Sequence, residues 1–320
     1  MSARWSVLST SPSFGVRDRE AVALLKDSGC DVEVAPGLRG DALVAALTTT
    51  DAWIFGFEPV GADLLRHATR LRVVAKNGAG TDNVDHVWLA ARGIAVVNAP
   101  DGNAHAVAEY AVGQLIHLSR GLGDNDRAVR AGRWAPVVGP GLDGRTLGVL
   151  GLGRVGRRLT ALATALGMRV LAHDPAVDDD QVGAAGAEPV PLDDLFAAAD
   201  AVSVHVPLTD ATRGLVDARR LALLGPEGVL VDCSRGGVVD EPALVAALHR
   251  GDLAGAALDV FAEEPLPSGS PLLEAPRVLL SPHGAGYSES SVRAVGRQCA
   301  HRVIDALARP RTTPHPRSAS

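Results

Sequence analysis

The sequence predicts an α/β protein with two doubly wound domains. A length of 320 residues allows about two domains of ordinary size. Hydrophobic residues make up 47% of the chain but aromatic residues only 3%, so Ala, Val and Leu must fill the interior, as in parallel sheets covered by helices. Short apolar segments also alternate with helical stretches, which is the order of an open parallel sheet.

A first series of strand candidates lies in the amino-terminal third of the chain. They occupy residues 6–8, 31–34, 52–55, 73–75 and 95–97. The segments between them are long enough for crossover helices, so this part predicts one parallel sheet.

A second series of strand candidates follows the polar segment at residues 137–144. These candidates occupy residues 146–150, 169–172, 201–206, 228–232, 254–259 and 277–281. They predict a second, larger doubly wound unit.

Helix boundary signals support this order of elements. Asp240 is expected to cap a helix that has Pro242 in its first turn and Gly251 after its end. Asp193 is predicted to cap another helix in the same way, ahead of the apolar pair at 195–196.

One long helix is expected to connect the two series. Val107, Ala111, Leu115 and Leu118 recur at helical spacing within residues 103–120. The tail at residues 310–320 is the one segment that predicts disorder.

Charge and cysteine content exclude several classes of protein. The chain has 31 basic and 37 acidic residues and no Lys/Arg block, so we expect no nucleic-acid partner. Cys30, Cys233 and Cys299 are odd in number and widely spaced, which fits neither a disulfide framework nor a metal site. No signal peptide or apolar stretch of about 18 residues occurs. We therefore expect a cytoplasmic protein without membrane or metal partners.

A glycine fingerprint follows the strand candidate at 146–150. In this G-x-G-x-x-G sequence, Gly151 permits a tight turn, Gly153 lets the backbone approach a pyrophosphate, and Gly156 lets the next helix pack on the sheet. The fingerprint alone is a weak signal, but strand, turn and helix all occur here in order. The predicted cofactor-binding residues of this segment are Gly151, Gly153, Arg154, Val155 and Gly156.

An acidic residue completes the predicted dinucleotide site. Asp174 follows the next strand candidate, 18 residues beyond Gly156, where a carboxylate can accept hydrogen bonds from the adenosine ribose. The alternative is that Asp174 only caps the turn before Pro175.

Five motifs in a fixed order support a family resemblance. They are K-N-G-A-G-T-D-N-V-D at 76–85, the fingerprint at 151–156, C-S-R-G-G-V-V-D at 233–240, A-L-D-V-F-A-E-E-P at 257–265 and S-P-H at 281–283. With them the chain resembles the D-isomer-specific 2-hydroxyacid dehydrogenases, and among these the 3-phosphoglycerate dehydrogenase-like branch, from about residue 7 to residue 305.

The resemblance implies how the domains divide and what they bind. A Rossmann NAD-binding domain at residues 102–285 would be inserted in a flavodoxin-like substrate-binding domain made of residues 1–101 and 286–320. It further implies an oxidoreductase that transfers a hydride between NAD and C2 of a small 2-hydroxy or 2-oxo acid, and a homodimer.

The resemblance also implies a catalytic set of Arg235, Glu264 and His283. Each follows a strand candidate of the second series, where open α/β sheets place their ligands. His283 would be the general acid and base, Glu264 would hold its ring, and Arg235 would orient the substrate. Taken singly, each is more often a surface or turn residue.

Further binding residues are implied with the same family. Asp259 would contact the nicotinamide carboxamide, and other cofactor contacts would come from Val206, Pro207, Thr212 and Cys233. The turn of Gly78, Ala79 and Gly80 would bind the substrate carboxylate through its N–H groups; the alternative is an ordinary turn between a strand and a helix.

The chain departs from the family pattern near the expected substrate. Members that bind a phosphorylated substrate place an arginine after the third strand, where this chain has F-G-F-E-P at 55–59. Lys76 stands where such members carry a second arginine, and it would either attract a distal anion or lie in solvent at a strand end. We therefore expect a three- or four-carbon 2-oxo acid, weak activity on 3-phosphoglycerate, and no C-terminal regulatory domain.

Two rival functions stay open from the sequence. One is a binding protein of the same fold that senses NADH, although no appended interaction segment is recognisable. The other is a formate or phosphite dehydrogenase, but formate enzymes carry an amide where this chain has Glu264.

Overall fold

The computed structural model describes residues 4–16 and 19–310 of the chain. The chain divides into two compact units, one drawn from Met1–Asn103 and Tyr287–Ser320 and the other from Ala104–Gly286. Residues 311–320, which hold most of the predicted disordered tail, lie outside the described residues.

Strands and helices alternate along both units. Within the described ranges, the strands are β1 (Trp5–Ser9), β2 (Cys30–Val34), β3 (Ala52–Phe55), β4 (Val73–Lys76), β5 (Ala95–Asn98), β6 (Thr146–Leu150), β7 (Arg169–His173), β8 (Glu188–Pro189), β9 (Ala201–Val204), β10 (Val229–Asp232), β11 (Gly255–Leu258) and β12 (Val278–Leu280). The helices are α1 (Glu20–Asp27), α2 (Gly40–Leu47), α3 (Ala62–Leu65), α4 (His86–Ala90), α5 (Ala104–Arg120), α6 (Leu122–Arg130), α7 (Arg154–Ala165), α8 (Asp179–Ala184), α9 (Leu192–Ala198), α10 (Ala218–Leu224), α11 (Glu241–Arg250) and α12 (Glu289–Ala308).

The first unit is a five-stranded parallel sheet in the order β2-β1-β3-β4-β5. Apolar residues of α1 and α12 pack on one face of this sheet, and α2, α3 and α4 cover the other. Trp53 is fully buried, and its indole N–H donates to the Thr10 hydroxyl at 3.0 Å, so the largest core side chain leaves no polar atom unpaired.

The second unit is a seven-stranded parallel sheet in the order β12-β11-β10-β9-β6-β7-β8. One apolar layer, which includes α5 and α7, covers one face, and a second layer built on α9, α10 and α11 covers the other. These two parallel sheets confirm the predicted α/β class. The sequence did not predict β8, because a two-residue edge strand carries no recognisable apolar pattern.

The boundary signals of α11 were read correctly. The Asp240 carboxylate accepts the Ala243 N–H at 3.0 Å, a proline occupies the first turn, and Gly251 ends the helix in the left-handed region at φ 73°. The predicted helix at residues 103–120 is α5, whose observed bounds differ by one residue.

The prediction that Asp193 caps a helix was wrong. Pro191, with its extended backbone, precedes the first residue of α9, so Asp193 lies inside the first turn. Its carboxylate accepts hydrogen bonds from Arg219 at 2.5 Å and from Arg220 at 3.1 Å. The bond from Arg219 is the main reason that the pKa of this carboxyl lies below its ordinary value.

In the described part of the chain, no helix is both long and apolar enough to cross a membrane.

Close packing at Gly156 yields a prediction about stability. A Cβ atom there would lie 2.1 Å from the Gly151 carbonyl oxygen, so Gly156→Ala must push α7 away from the sheet. We expect the free energy of unfolding, measured in urea without cofactor, to fall by about 1–3 kcal/mol. Gly113→Ala is the control, because its Cβ would meet no atom within 4 Å in α5. That variant should gain up to about 1 kcal/mol, and an equal change in both variants would contradict the packing argument.

Candidate active site

Three predicted catalytic residues lie on loops at one edge of the second unit's sheet. Arg235 follows β10, Glu264 follows β11 and His283 follows β12, and these strands are neighbours in the sheet. Because the strands are parallel, their carboxyl ends meet at the same edge. The topology therefore gathers residues that lie up to 48 positions apart in the sequence.

Glu264 and His283 form a hydrogen-bonded pair. The His283 Nδ1 and Glu264 Oε2 atoms are 2.8 Å apart, and 34% and 31% of the two side chains are exposed. Burial alone would raise the pKa of Glu264. The hydrogen bond and charge of His283 outweigh that effect, with smaller contributions from the Phe261 N–H and from Arg235, so this pKa lies below its ordinary value. Glu264 is thus kept as a carboxylate beside the imidazole.

The backbone of His283 is held in an unusual conformation. Its φ angle is 52°, in the left-handed region that residues other than glycine seldom adopt. Its N–H donates to the Asp259 carbonyl at 2.8 Å and to the Ser281 carbonyl at 3.0 Å. These bonds fix the direction in which the ring leaves the loop, as is common for strained residues at functional sites.

Asp259 fixes the same loop through its side chain. Oδ1 accepts hydrogen bonds from the Ser281 hydroxyl at 2.6 Å and the Gly284 N–H at 2.8 Å, and Oδ2 accepts the Ala285 N–H at 2.8 Å. Three of about four acceptor positions of this buried carboxylate are therefore used within the protein. The nicotinamide carboxamide that the resemblance implies as a partner of Asp259 would have to share this carboxylate with the loop.

Arg235 lies on a loop that packs tightly against its neighbour. Its Nη1 donates to the Ser234 carbonyl at 2.7 Å. A Cβ at Gly236 would come within 1.7 Å of the Phe261 carbonyl oxygen, so only glycine permits this approach. The loops that carry Arg235 and Glu264 are thereby locked to each other.

The glycine fingerprint forms the predicted turn between β6 and α7. Gly151 has φ 96°, and a Cβ there would lie 2.9 Å from the His205 backbone. A Cβ at Gly153 would meet nothing within 4 Å, which leaves open space at the start of α7. Among the described residues, no acceptor pairs with the N–H groups of Gly153, Val155 and Gly156. Unpaired donors beside open space fit a pyrophosphate.

Asp174 contacts this turn directly. Its Oδ2 accepts the Leu152 N–H at 2.8 Å, and its Oδ1 accepts the Ala176 N–H at 2.9 Å. It therefore caps the turn before Pro175 and also supports the fingerprint loop. Each oxygen keeps a lone pair that can accept from a ribose hydroxyl.

The other predicted cofactor residues shape neighbouring loops. The Thr212 hydroxyl donates to the Pro207 carbonyl at 2.6 Å and accepts the Thr209 N–H at 2.8 Å, which closes the loop after β9. Val206 lies in that loop, and its side chain would be 2.9 Å from a Cβ at Gly151. The loop after β9 would therefore contact a cofactor mainly through its backbone, which the Thr212 hydroxyl holds in place.

Cys233 is buried at the end of β10. Its thiol donates to Gln114 Oε1 at 3.1 Å. Burial, with the charges of Asp259 and Asp232, raises the pKa of this thiol well above its ordinary value, so it stays neutral. Only its backbone suits a cofactor contact.

The sequence reasoning did not single out Gln114, Asp232 or Ser234 as part of this edge. One signal in the sequence could have pointed to this group: Asp232 is a polar residue at the end of the apolar strand candidate at 228–232.

The predicted carboxylate-binding turn lies in the first unit, after β4. The Gly78 carbonyl accepts the Ala99 N–H at 2.9 Å, and the Ala79 carbonyl accepts from the Asn98 side chain at 2.6 Å. Within the described ranges, the N–H groups of Gly78, Ala79 and Gly80 have no protein acceptor. The carbonyls are thus tied down while the donors stay available, which is the arrangement of an anion-binding turn.

Lys76 lies next to this turn with its side chain against residues 55–57. Its ammonium group donates to the Gly56 carbonyl, and it is 4.8 Å from the Phe57 ring centroid and 5.7 Å from that of Phe55. Glu58 accepts the Gly56 N–H at 2.8 Å. The positive charge is therefore held at the carboxyl end of the first sheet.

Comparisons with known proteins identify the family of this chain. Residues 112–285 match the family model described as D-isomer specific 2-hydroxyacid dehydrogenase, NAD binding domain, which confirms NAD as the predicted cofactor. The D-3-phosphoglycerate dehydrogenase of Mycobacterium tuberculosis (strain ATCC 25618 / H37Rv) is 40% identical over 303 residues, which is 93% of this chain and 57% of that protein. This chain therefore spans a little over half the length of the curated relatives that it matches.

Solved structures resemble the whole fold. The NADPH-dependent glyoxylate/hydroxypyruvate reductase from Sinorhizobium meliloti, in complex with NADP and malonate, is 32% identical with a TM-score of 0.83, over 95% of this chain and 94% of that one. The D-lactate dehydrogenase from Aquifex aeolicus, complexed with NAD and lactic acid, is 25% identical with a TM-score of 0.84, over 94% and 95% of the two chains. Because the family model alone matches more than half of the sequence, the chain belongs to the D-isomer specific 2-hydroxyacid dehydrogenase family.

Proposed function

We propose that this protein is an NAD-dependent dehydrogenase that interconverts a small D-2-hydroxy acid and the corresponding 2-oxo acid. The observation that carries the proposal is the His283–Glu264 pair, 2.8 Å apart, on loops beside Arg235 at the carboxyl edge of the NAD-binding sheet. An imidazole held by a carboxylate next to a guanidinium suits proton transfer to a carbonyl that an arginine orients.

The pair assigns separate roles to the two ring nitrogens of His283. Nδ1 faces Glu264 and donates to its carboxylate, so Nε2 is the nitrogen that gives its proton to the carbonyl oxygen during reduction. The Glu264 carboxylate stabilises the imidazolium that reduction requires and keeps the ring oriented between turnovers. In the oxidation direction Nε2 takes the proton from the hydroxyl group.

Arg235 is proposed to bind the substrate carboxylate and the carbonyl oxygen. Its planar guanidinium can donate two parallel hydrogen bonds and stabilise the negative charge that grows on the oxygen. The N–H groups of Gly78, Ala79 and Gly80 are proposed to bind the substrate carboxylate as well, since they lack other acceptors in the described residues.

The fingerprint residues are proposed to hold NAD, which supplies the hydride or receives it. The donors at the start of α7 would bind the pyrophosphate, and Asp174 would accept from the ribose hydroxyls. Val206, Pro207, Thr212 and the backbone of Cys233 would line the remaining cofactor surface. The homodimer and the cytoplasmic location stay predictions.

The substrate class is proposed from the first unit. Curated relatives are D-3-phosphoglycerate dehydrogenases, and a 32% identical structure is a glyoxylate/hydroxypyruvate reductase. The loop after β3 carries Phe57 and Glu58 but no arginine, so we favour a three- or four-carbon 2-oxo acid over 3-phosphoglycerate.

Loss of the imidazole tests the proposed reaction. The wild type should consume NADH with at least one of glyoxylate, pyruvate, hydroxypyruvate and oxaloacetate. His283→Ala should lower kcat by roughly 10² to 10⁴, because a positioned general acid is worth about that much, while the Kd for NADH stays nearly unchanged. Absorbance follows turnover, and NADH fluorescence gives the Kd.

The control for this variant is His249→Ala, which removes an exposed histidine of α11. It should keep wild-type kcat. If His283→Ala kept more than half of the wild-type kcat, another group would be the acid, and a wild type that reduced none of the four compounds would contradict the proposed function.

Asp174 predicts a preference for NAD over NADP. Its carboxylate would lie against the 2′-phosphate of NADP, and two like charges a few ångströms apart repel by roughly 1–4 kcal/mol. Residues 173–176 contain no arginine that could offset this repulsion. The kcat/KM ratio of NADH to NADPH should be at least about fivefold in the wild type, which corresponds to about 1 kcal/mol. It should fall in Asp174→Asn but not in Asp180→Asn, which removes an exposed carboxylate of α8. Equal kcat/KM for the two cofactors in the wild type would refute the prediction.

Lys76 predicts a preference for substrates with a distal anion. The ammonium is a single point charge held two residues before the glycine turn, so it can attract a second anionic group. Lys76→Met should lower kcat/KM about tenfold, or 1.4 kcal/mol, for dianionic oxaloacetate but little for pyruvate. Lys26→Met, on α1, is the control, and an equal loss on both substrates would refute the contact.

A further inference from the structure

Asp232 is a buried carboxyl group that the proposed reaction does not use directly. It is the last residue of β10, is 1% exposed and lies three positions before Arg235. Its Oδ1 accepts hydrogen bonds from the backbone N–H of Ser234 at 2.8 Å and from the Ser234 hydroxyl at 2.6 Å. Both bonds fix the residue whose carbonyl accepts from the Arg235 guanidinium at 2.7 Å.

The other side of Arg235 is fixed by packing. The backbone of Gly236 lies so close to the Phe261 carbonyl that a Cβ would come within 1.7 Å of it. Of the two residues next to Arg235, Ser234 is thus held by hydrogen bonds to a carboxyl group and Gly236 by close packing. The hydrogen bonds to Asp232 are the part of this arrangement that a change of charge can alter.

We propose that Asp232 is a positioning residue for Arg235 and that it supports substrate binding best as the neutral acid. The proposal rests on the substrate-binding role of Arg235 proposed above. A neutral Asp232 still accepts both hydrogen bonds from Ser234 through Oδ1. An ionised Asp232 adds a negative charge close to the guanidinium, and this charge competes with the substrate carboxylate.

The surroundings of Asp232 favour the neutral form. Burial raises its pKa to about 7, against the opposing effects of the two bonds from Ser234 and of the Arg235 charge. The Asp259 carboxylate, at the end of the neighbouring β11, raises this pKa further. The equilibrium therefore lies within the range of pH at which the enzyme would work.

The other titratable groups around the end of β10 are neutral near pH 7. Burial raises the pKa of the Cys233 thiol well above its ordinary value. His205 follows β9, the other neighbour of β10, and burial lowers its pKa to about 4. From α5, which packs on β10, the uncharged amide of Gln114 faces Cys233. Among the described residues, Arg235 and Asp259 are thus the charges that act on Asp232.

The first experiment measures KM for the 2-oxo acid that the wild type reduces fastest, from about pH 6 to pH 8.5. Asp232→Asn keeps an acceptor for Ser234 but never ionises. The ratio of the wild-type KM to the KM of this variant should rise about three- to tenfold over that range, because only the wild type gains the competing charge. Taking the ratio removes any pH dependence that the two proteins share.

Two further variants separate positioning from mere charge removal. Asp232→Ala loses both hydrogen bonds from Ser234, so its KM should exceed that of the wild type at every pH. At about pH 6, the KM of Asp232→Asn should instead match that of the wild type. Asp200→Asn is the matched control. Asp200 precedes β9, at the amino-terminal end of the strands, and its carboxylate accepts hydrogen bonds from Arg145 and from the Thr146 N–H. This variant should keep the wild-type dependence of KM on pH. A pH-independent ratio for Asp232→Asn would overturn the proposal.

A second experiment needs no turnover. An acid whose pKa is raised in the folded state stabilises the fold fully below its unfolded pKa of about 3.9, and that stability is lost as the pH rises through about 7. The Tm of Asp232→Asn relative to the wild type should therefore increase by on the order of 5 °C from pH 5 to pH 8 in the cofactor-free protein. A constant Tm difference would overturn the proposal. If the wild type shows no turnover, only the proposed function is contradicted, because the Tm measurement does not depend on turnover.

Discussion

The parallel pairing of β10, β11 and β12 is the constraint on which the candidate active site depends. Register places Asp232 beside Leu258, and Leu258 beside Leu280, so the three strands end level with one another. Each strand is followed directly by the loop that carries one candidate catalytic residue. Any shift of one strand would separate the guanidinium, the carboxylate and the imidazole, and it would also move buried apolar side chains out of their layers.

Buried carboxyl groups hold these loops in place. Asp259 receives two N–H groups and a hydroxyl from the His283 loop, and Asp232 receives one of each from the Arg235 loop. Burial of a carboxyl group costs free energy unless hydrogen bonds satisfy it, so each group also requires that its loop be folded correctly. Because these carboxyl groups are buried, they hold their loops through hydrogen bonds. The same burial raises the pKa of Asp232 and makes its charge depend on pH.

The sequence predicted most of the fold because the signals were local. Alternating apolar segments, the fingerprint glycines and the cap at Asp240 all act within a few residues. One prediction failed: Asp193 does not cap a helix, and its carboxylate instead pairs with the distant Arg219 and Arg220. Strand β8 was missed because two residues carry no apolar pattern. The hydrogen bonds that residues 281–285 donate to Asp259 also join distant positions, so they could not be predicted from neighbouring sequence. The residues of the candidate site came mainly from the family resemblance, whereas the role of Asp232 needed the hydrogen bonds themselves.

The two units are proposed to recognise anions in different ways, and this bears on how substrate choice can change. In the first unit, the N–H groups of residues 78–80 belong to the backbone, so side-chain replacement alters them little as long as the turn persists. Recognition of the carboxylate that all 2-oxo acids share can therefore stay constant. Discrimination among these acids would then come from side chains such as Lys76, which precedes the turn, and Phe57, whose ring centroid is 4.8 Å from the Lys76 ammonium group. Substrate choice in this chain would accordingly depend on the loop after β3 and on the end of β4, while the chemistry stays with the second unit.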